Sequence, residues 1–357
     1  MSDVHTTLDL GEEIAGYDWS DFQVTLFVEA PMPQVFARWA TSAGLESFWA
    51  GDVVCYAPDG RTRDAGETFL LGDRIALTFT TSSSAELEII NVEQDRCIAF
   101  SFGDDYGWVY VSLSEEDDRT KVVLRHFGLP AEEEDHWNTH MHARGWWVYN
   151  LMNLKSIILH GNDIRVREPG AESCLNADYI VRDTEPEAPH DWGAFDVFLH
   201  IRCSPEQALS RWRTAEGISS FFVGEATFTD ASGTPRSTSD SIVEGDRYEW
   251  HTLHKYPMSG NITEATPNRV AFTFGANYSV EITAAAHGSG TLLRLHQSGM
   301  GNDLRERVQG SLNCRSCWIY FLAALKGRIE HGIDLRDRRP DTADAISVGY
   351  NHPDLAF

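Results

Sequence analysis

The segment DHWNTHMHARGW carries His136 and His140 four residues apart. On a helix that spacing puts two imidazoles on one face, where they could grip a metal ion. Glu132, Glu133, Glu134 and Asp135 come just before. No third ligand is indicated, and acidic residues suit the positive end of a helix dipole. The cluster reads as a solvated helix start. Cys314 and Cys317 form a lone C-x-x-C. Redox pairs of this kind sit at a helix N-terminus, which lowers the thiol pKa. This pair falls inside a helical pattern, so it reads as two small buried helix residues. His160-Gly161-x-Asp163-x-Arg165 recurs as His331-Gly332-x-Asp334-x-Arg336. Glycine after a long helix is a C-cap, histidine suits the negative helix end, and Asp and Arg can pair locally, so this repeat reads as structural. The chain has no G-x-G-x-x-G after a strand, no P-loop, no G-x-S-x-G and no H-E-x-x-H. No catalytic set, metal site or cofactor is expected.

These residues sit on a chain that contains itself twice. Residues 18–51 align without a gap on 191–224, with 13 of 34 positions identical. Residues 147–165 align on 318–336 with ten of 19 identical. The offset is 173 residues at the start and 171 at the end. So long a period marks a duplicated domain, since solenoid repeats run roughly 20 to 50 residues. The expected organisation is a first domain over 17–168, a linker over 169–189, a second domain over 190–338 and a tail over 339–357. The linker is rich in proline and acids, and the tail is polar.

Each copy repeats one order of elements. An alternating strand comes first, 22–28 and 195–201. Pro31 or Pro205 then opens a pair of short helices, with Gly44 as the expected break in the first copy. Short strands follow near 67–71, 74–81, 86–93, 97–103, 107–114 and 120–127. In the second copy they lie near 225–229, 246–252, 259–265, 269–275, 277–285 and 290–297. The intervening turns suit antiparallel hairpins. A long amphipathic helix ends each copy, with stripes Met141, Val148, Leu151, Leu154, Ile158 and Leu312, Ile319, Leu322, Leu325, Ile329.

The segments ARWATSAGLESFW and SRWRTAEGISSFF, the last strands TKVVLRHFGL and TLLRLHQSGM, and the helices RGWWVYNLMNLK and CWIYFLAALK carry a resemblance. Together they resemble the START-like superfamily, and within it the branch named for the activator of heat-shock-protein-ninety ATPase. The resemblance covers nearly all of both copies. It implies an α+β fold of two tandem helix-grip domains, each a curved antiparallel sheet wrapped around a long C-terminal helix. Its motifs are packing motifs, and the branch has no shared catalytic set to carry over.

A helix-grip fold encloses an apolar space between sheet and helix, a natural small-molecule site. Aromatics matched in both copies, namely Trp39/Trp212, Phe48/Phe221, Phe100/Phe272, Phe102/Phe274 and Trp147/Trp318, read as core. Unmatched residues with polar tips are the ligand-binding candidates: Trp49, Trp108, Tyr110 and His126 in the first copy, Trp250, Tyr278 and His296 in the second. The first copy has more tryptophan and an extra acidic hairpin, and is expected to keep the more open cavity.

The chain holds 54 Asp plus Glu against 29 Lys plus Arg, a net charge of −25. Such a surface repels phosphate backbones and anionic membranes, so neither nucleic acid nor membrane is an expected partner. Only four of the basic residues are lysine. That balance fits either solubility in high salt or ordinary acidity with arginine-rich codon usage. No secretory signal or long apolar run is present. Six cysteines are too few for a disulfide scaffold, so a reduced, cytoplasmic protein is expected. Three functions stay open: non-enzymatic binding of a small hydrophobic or aromatic molecule in one or both cavities, a protein-interaction role like that of a chaperone cofactor, and an enzyme of cyclase or hydrolase type. The last would need a histidine or carboxylate with a perturbed pKa facing the cavity, with His126 and His296 the ones to check.

Overall fold

The structure is a computed structural model that describes residues 17–79, 83–102, 106–130, 136–166, 175–176, 192–253, 257–275 and 278–339. In the first half, strand β1 (Asp21–Val28) leads into helices α1 (Met32–Trp39) and α2 (Ser42–Phe48). Strands β2 (Asp52–Tyr56), β3 (Arg74–Thr78), β4 (Ser84–Glu93), β5 (Cys97–Ser101), β6 (Trp108–Glu116) and β7 (Arg119–Phe127) follow, and helix α3 (His136–His160) closes the half. The second half starts with a two-residue strand β8 (Leu175–Asn176), then β9 (Ala194–Ile201), α4 (Pro205–Ser210) and α5 (Ala215–Ser219). It continues through β10 (Glu225–Thr229), β11 (Arg247–His251), β12 (Pro257–Thr266), β13 (Arg269–Phe274), β14 (Tyr278–His287) and β15 (Gly290–Ser298) to helix α6 (Leu304–His331).

All strand pairings are antiparallel, in the orders β1-β7-β6-β5-β4-β3-β2 and β10-β11-β12-β13-β14-β15-β9-β8. The expected pair of helix-grip domains is therefore present. Period-2 alternation sets the inner face: Val109, Val111 and Leu113 on β6, and Val122 and Leu124 on β7, are all buried. A bulge bends each sheet at the same place, between Ile89 and Asn91 and between Ile262 and Glu264.

Some local expectations change. Residues 67–71 are not a strand; Phe69 is buried and its N–H donates to the Ala40 carbonyl across 2.8 Å. The edge strand opposite β1 is β2, whose DVVCY run was not read as a strand. Gly44 is not the break between the short helices. It lies within α2, where a Cβ would stand 2.3 Å from the Ala37 carbonyl oxygen. The break is at Ala40 and Thr41, and Thr41 caps α2 by accepting from the Gly44 N–H. Thr214 and Gly217 repeat the arrangement. Most of the linker and the tail from 340 onward lie outside the described residues; β8 pairs with β9 at the edge of the second sheet.

The two halves meet along a seam between α3 and α6. Trp19, Trp137, Met141, Trp192, Val308 and Leu312 form a buried cluster there, apart from the main core. Gly145 lets the helices approach, since a Cβ on it would lie 2.6 Å from Ile319 Cδ1. Arg119 of the first half makes a buried ion pair with Asp337 of the second, and Arg339 donates to the Asp117 carbonyl at 2.6 Å. Among the described residues no helix is long and apolar enough to cross a membrane.

Candidate functional site

In the first half the space under the sheet is filled. Trp49 is 2% exposed and lies within 6.0 Å, centroid to centroid, of Phe79, Phe100, Phe102, Trp146 and Trp147. His126 belongs to the same core. Trp147 Nε1–H donates to its Nδ1 at 3.2 Å, which places the ring proton on Nε2, and that atom donates to the Tyr106 carbonyl at 2.8 Å. Burial lowers its pKa, against the opposing pull of the Tyr106 carbonyl. It is a neutral ring with both nitrogens engaged.

Trp108 and Tyr110 are displaced from their expected role. They alternate with Val109 and Val111, so they point to the opposite, outer face of β6. Trp108 is exposed and stacks on Phe127 at 5.7 Å. His296 fails for the same reason. It alternates with the buried Leu295 and Gln297, and its Nδ1 meets Asp196 at 3.0 Å on the outer face. The counterpart of His126 is Gln297, which accepts from Trp318 Nε1–H at 2.6 Å as His126 accepts from Trp147. A one-residue difference in register exchanges faces. Trp250 is fully buried and stacks on Tyr248 at 3.8 Å, inside the core of the second half.

The reading of the histidine cluster as a solvated helix start fails at His140, which is buried; its Nδ1–H donates to the Trp19 carbonyl at 2.9 Å, and Nε2 takes the Tyr17 hydroxyl at 2.8 Å. The repeated His-Gly-x-Asp-x-Arg segments hold each domain together. Gly161 and Gly332 take left-handed conformations at φ 71° and 72°. Arg165 then donates to the carbonyls of Glu46, Ser47 and Ala50, and Arg336 to those of Ser219 and Val223. Asp163 and Asp334 brace these guanidinium groups.

Of the seven predicted residues, Tyr278 alone lines a described cleft. This cleft, of about 500 Å³, opens in the second half between the β13–β14 turn, the loop 299–302 and the first half of α6. Met258, Phe274 and the Tyr278 ring give it apolar walls, and Gly310, Asn313 and Cys314 form its helical side. This cleft lies in the second domain, whereas the first was expected to keep the more open cavity. By strand register and helix offset, Trp49, Phe79 and Trp146 correspond to Phe222, Thr252 and Cys317. The extra tryptophans occupy the first interior instead of lining a space.

Sequence reasoning missed Gly310 and Asn313, and treated Cys314 as core. One signal existed. A glycine in the middle of a helix costs about 1 kcal/mol relative to alanine, and needs a reason. Here Gly310 lines the cleft, where its missing side chain leaves space open; a Cβ would stand in ordinary contact, 3.4 Å from the Tyr278 hydroxyl and 3.6 Å from the Met300 sulfur. Burial raises the pKa of Tyr278 and brings Cys314 to about 11, so both are neutral at pH 7. Glu306 is the one charged residue among the described lining residues, and it is tied to the rim loop through the Asn302 N–H at 2.8 Å.

The fold defines a class: two tandem helix-grip α+β domains. Residues 29–158 match the family described as activator of Hsp90 ATPase homolog 1-like protein. No curated protein matches the chain. Among solved structures, it is similar to a Staphylococcus saprophyticus protein, at 22% identity over 41% of this chain and 96% of that one, with a TM-score of 0.34. It is also similar to the putative protein DynU16 of the dynemicin biosynthetic locus, at 10% identity over 88% of this chain and 98% of that one, TM-score 0.33. The di-domain ARO/CYC protein StfQ of the steffimycin pathway shares 13% identity over 87% of this chain and 92% of its own, TM-score 0.25. At such TM-scores these likenesses imply nothing about this chain's ligand or activity.

Proposed function

We propose that this protein binds a small apolar or aromatic molecule in the cleft of its second domain, without transforming it. The observation that carries this reading is the cleft itself, about 500 Å³ with Met258, Phe274 and Tyr278 as walls. Burial of the ligand's apolar surface drives binding, at roughly 25 cal/mol per Å² removed from water. The lining argues for binding over catalysis. Among the described lining residues the titratable groups are a neutral tyrosine, a neutral thiol and a glutamate engaged by its own loop. No histidine stands among the described lining residues. The first domain buttresses the site, because α3 packs against the helix that forms the cleft wall.

Native mass spectrometry of freshly purified protein tests this, followed by denaturation and analysis of what is released. A stoichiometric apolar compound is expected, and Gly310→Leu, which fills the cleft while favouring the helix, is expected to abolish it. An unliganded mass, together with no uptake of hydrophobic probes by the purified chain, overturns the reading.

A further inference from the structure

We infer that the occupant of the second-domain cleft is an uncharged, hydroxyl-bearing aromatic molecule, whose hydroxyl is held between Tyr278 and Asn313. This rests on the reading of that cleft as a ligand site and specifies what it selects. Gly310, Asn313 and Cys314 lie three and four residues apart on α6, so they present one face. The Tyr278 hydroxyl stands over that face, 3.4 Å from where a Cβ of Gly310 would be, and near enough to Cys314 for that thiol to add to the rise in its pKa. Asn313 Oδ1 is buried at this face and accepts no hydrogen bond. A buried acceptor without a donor carries a desolvation cost that a ligand donor removes.

Behind Cys314 lies Gln297, fully buried, with its Oε1 fixed by Trp318 Nε1–H at 2.6 Å. Its amide N–H is thereby directed at the Cys314 sulfur, where it eases ionisation of the thiol. The inner end of the cleft thus offers an unused acceptor, Asn313 Oδ1, and a phenolic hydroxyl able to donate or accept. A ligand hydroxyl matches this set, donating to Asn313 and accepting from Tyr278. A carboxylate does not match. No cation lines the described cleft, and Glu306 stands at the rim. An ammonium group would find a neutral interior without a carboxylate at its inner end, and would lose its hydration for little return.

The test is titration calorimetry of the full chain with 2-naphthol, naphthalene and 2-naphthoate, each repeated on Gly310→Leu and on the double variant Tyr278→Phe/Asn313→Leu. Two hydrogen bonds, one of them to the buried and otherwise unmet Asn313 Oδ1, predict that 2-naphthol binds about tenfold or more tightly than naphthalene. The double variant brings that ratio close to one while naphthalene binding persists, and 2-naphthoate binds no better than naphthalene. Equal binding of 2-naphthol and naphthalene, both lost in Gly310→Leu, keeps the ligand site and overturns the hydroxyl assignment. Preference for 2-naphthoate does the same. Failure of every probe, or binding indifferent to Gly310→Leu, removes the cleft as the site and the inference with it.

Discussion

Trp19 and Trp192 occupy the same position in the two repeats, and they touch each other, with ring centroids 6.0 Å apart. A residue meets its own equivalent only near a two-fold axis, so the halves pair as the subunits of an isologous dimer would. The rest of the cluster agrees: Met141 and Leu312 are equivalents, as are Trp137 and Val308, and all four join it. Trp192 also meets Trp137 at 5.0 Å. Replacing Trp192 with alanine removes the ring at the centre of this packing. A loss of about 3–5 kcal/mol is expected, the usual range for a buried tryptophan cut to alanine. Urea unfolding followed by circular dichroism checks it. The transition of the variant should also separate into two, one for each domain, as the seam ceases to couple them. A single transition at the wild-type midpoint would show that the seam contributes little.

The ion pair of Arg119 with Asp337 ties the far end of the second domain to the β6–β7 hairpin of the first. Both side chains are 1% exposed or less, and the Arg119 guanidinium also lies 4.5 Å over the Phe27 ring. Charges this deeply buried cost much to desolvate, so their value shows when one partner is removed. Asp337→Ala should destabilise the protein by about 3–5 kcal/mol, since it leaves a buried guanidinium. The double change Arg119→Met/Asp337→Leu should cost far less. A double-mutant cycle in chemical denaturation reads both. A single Asp337→Ala variant as stable as the wild type contradicts a role for the pair in domain docking.

His126 and Gln297 do the same work in the two domains, each accepting the indole proton of the core tryptophan on the long helix. His126→Gln should therefore fold, at a cost near 1 kcal/mol, because the second domain already uses glutamine at this place. Its effect on pH dependence is more specific. Burial holds His126 below its ordinary pKa of 6.5. In the folded state it is neutral, whereas in the unfolded chain it takes up a proton as pH falls below that value. Stability from the neutral ring is thus fully present above about pH 6.5 and declines as pH falls from there towards the lower folded pKa. The variant should lose less stability than the wild type between pH 7 and 5, as read by thermal melts across that window. Parallel loss in both proteins would mean that His126 is not among the groups responsible.

How far the sequence reaches can be seen from residues such as these. Duplication and period-2 patterning made the paired helix-grip domains legible, because burial of a sheet face forces alternation in each strand. The same alternation was available for the site and was not used. His126 and His296 look alike as late-strand histidines, yet Thr120 and Thr291 set the register, and counting from them puts His126 inside and His296 outside. Trp108 and Tyr110 follow the same rule. What no pattern could supply is volume. Whether an aromatic residue fills a space or borders one depends on its neighbours across the sheet, and Trp49 against Trp146 fills, while Tyr278 against Gly310 borders. Glycine in mid-helix was the one local sign of the cleft.

Cys314 gives a direct report on that cleft, because it lines the space and ionises only with difficulty. Burial pushes its thiol up to about 11, with the Gln297 amide pulling the other way. At pH 8 about one molecule in a thousand carries the reactive thiolate, so alkylation at this residue should be slow. Its rate should rise about tenfold for each pH unit up to 10, since the thiolate is the nucleophile. A ligand seated against Asn313 covers the sulfur, so saturating 2-naphthol should slow the reaction several-fold while leaving Cys203, elsewhere in the domain, unchanged. Iodoacetamide labelling with peptide mass mapping measures both cysteines in one sample. Labelling of Cys314 at the rate of an unfolded peptide would place its sulfur in open solvent. Equal slowing of both cysteines would mean that 2-naphthol acts on the whole fold and not on the cleft.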